Sequence, residues 1–507
     1  MDTQEIAGIV SDVLKRMEAT GQAFSTRGAV SEASASTSPR AAGQTENMRS
    51  APTPVRASGL APSALDFVFS DLDAAVEASS RAQAEYQEMG LKKRRAIIRA
   101  MREAAVRNAE KLARMARDET GMGRYECKVQ KNLLAATKTP GVECLHSTAY
   151  TGDDGLTLVE YAPFGIVGAV TPSTNPTSTV INNAISILAG GNSVIFAPHP
   201  ASVHCSREAM RVLNEAIASA GGPRLLITTP DPPSQEGTRA LLAHPRINVN
   251  LVTGGPAIVK VAMTTGKTCK TIAAGPGNPP VVVDETAKLP EAASHIVSGA
   301  SFDNGVLCTA EKEVIVVEAI RQRFLEALRA EPRAYELTPP QTAELTKLVI
   351  QEGGVGCKEP RLNREYVGKD AAVIALGIGL RVPERTRLLW AEVPNDHDLV
   401  WTEQLMPVLP VTSVRDVDAA IELAQKCEGG HKHTASMYSM NVENLTKMGR
   451  RMACSIYVKN APNYYGLGMG EGYATLSIGT PTGDGLTKAT HFVRPLHCSL
   501  VGYFRIA

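Results

Sequence analysis

The chain has 507 residues, 43% of them hydrophobic and 21% charged, with a formal net charge of +1 at pH 7. That length suits two or three domains and that balance suits a globular protein, while a near-neutral chain has no electrostatic footprint for nucleic acid or an anionic membrane surface. No apolar run nears the ~18 residues that span a bilayer, and the amino end lacks the unbroken apolar core expected of a secretory signal.

In "MDTQEIAGIVSDVLKRMEA", residues 1–19, Ile6, Ile9, Val10, Val13, Leu14 and Met17 recur at steps of three and four. This spacing predicts a helix with one apolar stripe, with Asp2 or Thr3 as cap. An isolated helix of this length is marginal in water, so the stripe is expected to dock on something. Residues 20–64 are rich in Ser, Ala, Thr, Gly and Pro, with one aromatic, Phe24, and no apolar period. Such a segment cannot bury enough surface to fold and reads as a flexible tether. The competing reading packs the first helix on its own domain.

From Leu65 onward helices and strands alternate. "SDLDAAVEASSRAQAEYQ" and "KKRRAIIRAMREAAVRNAEKLARMARDETG" carry helical periods. The short apolar runs "GIVGAVTP", "NSVIFAP", "RLLITTP", "VNLVTGG", "KTIAAG", "PVVVD" and "EVIVV" read as buried strands separated by helices. That alternation predicts an α/β fold of right-handed βαβ units around parallel sheet.

Three turns carry possible chemistry. After "INVNL", Thr253-Gly254-Gly255 closes a strand before a helix, where glycine lets a helix N-terminus approach a phosphate; the bland reading is a βα turn that needs glycine, and the pattern is not the GxGxxG fingerprint. "AAGPGNPP", Ala273 to Pro280, reads as a tight turn between strands or as the lining of a cleft. In "VTPSTNP", Asn175 precedes a helix and is either an oxyanion donor or simply an N-cap.

The nine cysteines are scattered, with no CxxC pair. A zinc cluster or disulfide framework therefore fits poorly, and the pattern suits a reducing compartment. Cys308, in "SFDNGVLCTAEKEVIV", sits between a helix-like segment and a strand. Taken alone it reads as a buried hydrophobe or as a nucleophile.

The motifs together resemble the aldehyde dehydrogenase superfamily from about Leu65 to Ala507. "APFGIVGAVTPSTNP" is similar to that family's strand and Asn-containing turn, "GGNSVIFAPHP" to the second strand of its nucleotide fold, and "VTGG" to its phosphate turn. "NGVLC" resembles its catalytic-cysteine loop, and "EQLMPVLPV" its Glu-x-x-x-Pro segment. The resemblance implies a Rossmann-type nucleotide-binding domain over 65–273, an α/β catalytic domain over 274–470, and a C-terminal segment, 471–507, that returns to the first domain and serves oligomerisation as a dimer or tetramer. It also implies Cys308 as nucleophile, Asn175 as oxyanion donor and NAD as cofactor. The cofactor cleft is expected to be lined by Thr171, Pro172 and Ser173, by Ala197 and His199, and by Thr253, Gly254 and Gly255. Ala274, Gly275, Glu403 and Leu405 are expected to complete it.

Two positions depart from the hydrolytic members. Ala274 stands where they carry a Glu, and Ala197 where they carry a Lys. "FDNGVLCTAEKEVIV", "HKHTASMYS" and the tail "GTPTGDGLTKATHFVRPLHCSLVGYFRIA" resemble the CoA-acylating aldehyde dehydrogenases of bacterial microcompartments, whose tethered N-terminal helix targets the shell. The resemblance thus implies oxidation of a short aldehyde, propanal first and ethanal second, to its acyl-CoA through a thioacyl-enzyme on Cys308, with coenzyme A as co-substrate. It places the chain in the lumen of such a compartment, with shell proteins as partners of residues 1–19. Water needs a positioned general base to cleave a thioester, worth ~10²–10⁴-fold, and Ala274 is not one. The rival readings are a hydrolytic or phosphate-linked enzyme of the same fold, and an inert shell-organising protein.

Overall fold

The computed structural model describes residues 66–503, together with Gly8 and Asp12, both helical and exposed. Apart from these two positions, the expected helix over 1–19 and the tether over 20–64 lie outside the described residues.

The first sheet has six strands in the order Val68–Phe69, Ile227–Pro230, Ser193–Pro198, Ile166–Thr171, Val249–Thr253 and Lys270–Ala274. Every neighbouring pair is parallel. The central strands Ile166–Thr171 and Ser193–Pro198 are buried along their whole length. Helices cover both faces of such a sheet, which is why its strands read as continuous apolar runs rather than alternating ones. Helix Pro176–Ala189 is buried on every side, and its polar Asn182 is satisfied by donating to Thr139 Oγ1 at 2.8 Å. Strand order reverses between Ile166–Thr171 and Val249–Thr253, and open α/β sheets bind ligands at the carboxyl ends of strands beside such a reversal.

Helix Leu72–Gln87 starts where Asp71 accepts the backbone N–H of Ala74 at 2.8 Å. The long helical run over 92–121 is two helices, Leu91–Arg107 and Ala109–Thr120. Asn108 leaves helical geometry at the break and donates to Ala104 O at 2.8 Å, the local competition with the backbone that makes Asn a helix interrupter. Gly121, at φ 64°, ends the second helix in the left-handed conformation that glycine adopts without strain.

The second sheet has seven parallel strands, in the order Ala334–Glu336, Leu388–Glu392, Val408–Val414, Glu313–Val317, Pro280–Val283, Thr434–Tyr438 and Ile456–Lys459. Strands Lys270–Ala274 and Pro280–Val283 thus belong to different sheets. The stretch between them, read above as a turn between strands, is where the chain crosses from one sheet to the other.

A third, antiparallel sheet joins Thr148–Gly152, Gly155–Pro163 and Val493–Val501. Through it the last described strand pairs with a segment that precedes the first sheet's central strand. No helix among the described residues is long and apolar enough to cross a membrane.

Candidate active site

The two large sheets face the site with opposite ends. Thr171, Thr253 and Ala274 are the last residues of their strands, and His199 follows Pro198. From the second sheet the candidate residues lie before their strands: Gly277 and Asn278 before Pro280, Cys308 before Glu313, Glu403 before Val408, and His433 before Thr434. Carboxyl ends of one sheet therefore oppose amino ends of the other, across the 275–279 crossing. Asn278 pins that crossing by donating to Val400 O and Cys427 O, each at 3.0 Å.

The nucleophile loop follows helix Leu289–Ala300. Asp303, Asn304 and Gly305 are all left-handed, with φ of 49°, 56° and 70°. Such a run is costly for non-glycine residues, so side chains must hold it. Lys312 Nζ donates to Gly305 O at 2.6 Å, and Asn304 Nδ2 donates to Gly368 O at 2.9 Å. Asp303 accepts from the Arg124 backbone N–H at 2.7 Å and from the ammonium groups of Lys128 and Lys131. A Cβ on Gly277 would stand 2.9 Å from Cys308 O and 2.8 Å from His433 Cγ, so only glycine allows the crossing to lie against the cysteine.

Cys308 is half-buried. Burial, then the Glu403 carboxylate, push its thiol up to about 12, while Lys312 and Lys131 pull it down. At neutral pH the thiol is protonated, so attack requires a base to take that proton. Two candidate bases lie near it, Glu403, whose charge acts on the thiol, and His433, across Gly277 from the Cys308 carbonyl. Burial raises Glu403 to about 7, against the pull of Lys312 and the Gly277 N–H it accepts, and its Oε1 has no partner among the described residues. His433 is buried, and burial holds it neutral, down to about 3. Its Nδ1 pairs with Thr434 Oγ1 at 2.9 Å and its Nε2 has no partner among the described residues.

Asn175 occupies the position before helix Pro176–Ala189 but makes no side-chain cap. Its Oδ1 accepts from Lys131 Nζ and its Nδ2 donates to Thr174 Oγ1 at 3.1 Å. The amide is therefore committed to the site rather than to the helix end, and one of its two N–H donors is left over.

The remaining candidates are less uniform. Thr171 Oγ1 is buried without a partner at the reversal of strand order, and Pro172 and Ser173 follow it half-buried. Ala197 is buried and apolar, and His199 is exposed, with Nδ1 accepting from the Ala201 N–H at 3.1 Å. Thr253 Oγ1 pairs with Ser477 Oγ at 2.7 Å. The Gly254 N–H goes to Ala274 O at 3.1 Å, which leaves the uncapped helix start after Gly255 as the donor end of that turn. Ala274 is buried, Gly275 packs against Pro481, and Leu405 holds φ 52° with its carbonyl accepting from the Gly368 N–H at 3.0 Å. The unpaired Thr171 hydroxyl, the open helix start and the unpaired Glu403 oxygen suit a polar, phosphate-bearing nucleotide.

Sequence reading singled out neither Lys128 nor Lys131, treated Asp303 as part of a turn, and passed over the wholly buried Glu311, Lys312 and Glu313. A signal existed: Lys128, Lys131 and Leu134 recur at steps of three on helix Tyr125–Lys138, placing two charges on its buried face.

A cysteine, an asparagine amide with an N–H left over and a polar cleft where two parallel sheets face each other are the arrangement expected of a cofactor-dependent enzyme working through a thiol. The model of the aldehyde dehydrogenase family matches residues 67–473, and the chain belongs to that family. It is 49% identical over 444 residues to the acetaldehyde dehydrogenase (acetylating) EutE of Salmonella typhimurium, covering 87% of this chain and 93% of that protein. It is also similar to a crystal structure of Rhodopseudomonas palustris propionaldehyde dehydrogenase with bound CoA and an acylated cysteine, with TM-score 0.82, 45% identity, and 86% of this chain and 98% of that one covered. A propionaldehyde dehydrogenase from the Clostridium phytofermentans fucose utilisation bacterial microcompartment superposes with TM-score 0.83 at 41% identity, covering 87% of this chain and all of that one.

Proposed function

We propose that the chain oxidises a short-chain aldehyde, propanal or ethanal, to its acyl-CoA with NAD. The observation that carries this is the pairing of a half-buried Cys308 with a buried, apolar Ala274 where a water-activating carboxylate would stand. Bound NAD supplies the hydride acceptor, with Thr171, the helix start after Gly255 and Glu403 positioned to hold it. Glu403 or His433 takes the Cys308 proton as sulfur attacks the carbonyl carbon. Asn175 Nδ2 and the Cys308 backbone N–H meet the oxyanion. The acyl group remains on Cys308 until the base, having released its proton to solvent, takes the proton of the CoA thiol; the CoA sulfur then displaces Cys308, and the base returns the proton to the leaving Cys308 thiolate. Sulfur replaces sulfur, so no water needs activating.

In this reading residues 65–273 bind the nucleotide, 274–470 carry the nucleophile, and 471–507 support assembly as a dimer or tetramer. The similarity to a microcompartment enzyme supports placing the protein in such a compartment, with residues 1–19 as its contact to the shell. The test follows NADH and acyl-CoA with short aldehydes, with and without CoA. Stoichiometric acyl-CoA, abolished in a folded Cys308→Ala variant, is expected. Free acid formed at the full rate without CoA would establish the hydrolytic reading.

A further inference from the structure

Helix Tyr125–Lys138 buries two lysines, Lys128 and Lys131, one turn apart. Lysine is held in an interior only where acceptors meet it. Asp303, itself wholly buried, accepts on Oδ2 from both ammonium groups, Lys128 Nζ at 3.3 Å and Lys131 Nζ more closely. Lys131 Nζ also donates to Asn175 Oδ1, and Lys128 Nζ to Thr174 O at 3.3 Å. One helical turn thus ties the oxyanion donor, which hangs from the first sheet, to the nucleophile loop, which leads into the second.

The chemistry of the partners makes this more than a brace. An ammonium only donates, so it accepts one orientation of the amide: Oδ1 toward Lys131 and Nδ2 away from it. A flipped amide would set a carbonyl oxygen against a developing oxyanion. Two lysines against one aspartate also leave one positive charge unbalanced in a poorly solvated place, where it acts strongly on nearby negative charge.

We infer that Lys131 is a positioning residue, which fixes the Asn175 amide with Nδ2 toward the oxyanion and locks that amide to the Cys308 loop through Asp303. The inference rests on the reaction proposed above, in its acylation half only. The measurement is therefore the aldehyde-dependent burst of NADH without CoA, in rapid mixing. Lys131→Met leaves Lys128 and Asp303 as a matched pair. It is expected to slow the burst about 10²-fold, the scale of one lost oxyanion donor, with the aldehyde KM within about threefold and the melting temperature near that of the wild type. In an Asn175→Ala background the same change should cost almost nothing, because the group it acts through is gone; a lysine with a merely structural role would multiply the two losses. If the methionine variant does not fold, Lys131→Ala, which also removes both the donor and the charge and adds less bulk, carries the same cycle. A folded variant whose burst stays within threefold of wild type, or losses that multiply in the double variant, would overturn the inference. A wild-type burst without acyl-CoA would sink the CoA reading alone, and no wild-type burst would sink both.

Discussion

At the scale of the residue, the site is a set of ionisable groups displaced from their ordinary values by burial. The thiol of Cys308 is pushed up to about 12 and the carboxyl of Glu403 to about 7. Both shifts favour the proton-bound form of these two groups. A base that is half-ionised near neutrality gives the reaction a pH signature. Below about pH 7 Glu403 holds its proton and cannot receive one from the thiol; above it the carboxylate can. The acylation rate is expected to rise with pH through about 7, and Glu403→Gln to lose that limb with a fall of about 10²-fold or more. A limb that persists in the glutamine variant would show that a group other than Glu403 takes the proton, and not His433, which burial holds neutral down to about 3.

At the scale of the element, the nucleophile loop is a strained turn held by its neighbours. Gly305, at φ 70°, lies where a Cβ would come 2.7 Å from Met406 O. Backbone lies on that side and cannot swing aside as a flexible side chain would. Gly305→Ala is therefore expected to cost about 1–3 kcal/mol of stability, the usual scale of a forced left-handed residue, and to lower the alkylation rate of Cys308 with iodoacetamide. Unchanged denaturant unfolding and unchanged alkylation would show that the loop has another conformation available. The glycine that lies against Cys308 is Gly277, in the crossing between the sheets, where a Cβ would likewise meet backbone, 2.9 Å from Cys308 O.

At the scale of the whole molecule, both sheets, the crossing and every candidate site residue lie within residues 66–503. The apolar stripe of residues 1–19 carries none of those candidate residues. Removal of residues 1–63 is expected to leave turnover within about twofold and to abolish co-purification with a microcompartment shell. A few apolar side chains at ~1.5–3 kcal/mol each, less the cost of ordering a helix, give weak docking that an oligomer strengthens by avidity. The graded form is Val10→Glu with Leu14→Glu. Wild-type co-purification in that double variant would put the docking surface elsewhere, and loss of turnover would put the helix in the enzyme core. The strand Val493–Val501 carries exposed Leu496, Leu500 and Val501 along one antiparallel sheet.

The sequence by itself determined what local pattern and motif order can carry. Continuous apolar runs between helices meant parallel sheets, because only strands buried on both faces lack alternation. The order of "VTPSTNP", "VTGG", "NGVLC" and "EQLMP" meant the aldehyde dehydrogenase family. It did not show that "AAGPGNPP" leaves one sheet for another, since a turn and a crossing have the same Gly/Pro composition. Nor did it show whether the Asn175 side chain caps its helix. Only the tertiary structure decided that it does not, by bringing Lys131 from a helix more than forty positions earlier onto the amide oxygen. It likewise decided that Glu311, Lys312 and Glu313, three consecutive charged residues shortly after Cys308, are wholly buried. Hydrophobic period is a property of neighbours in the chain, whereas the partner that allows a charge to be buried is a property of neighbours in space.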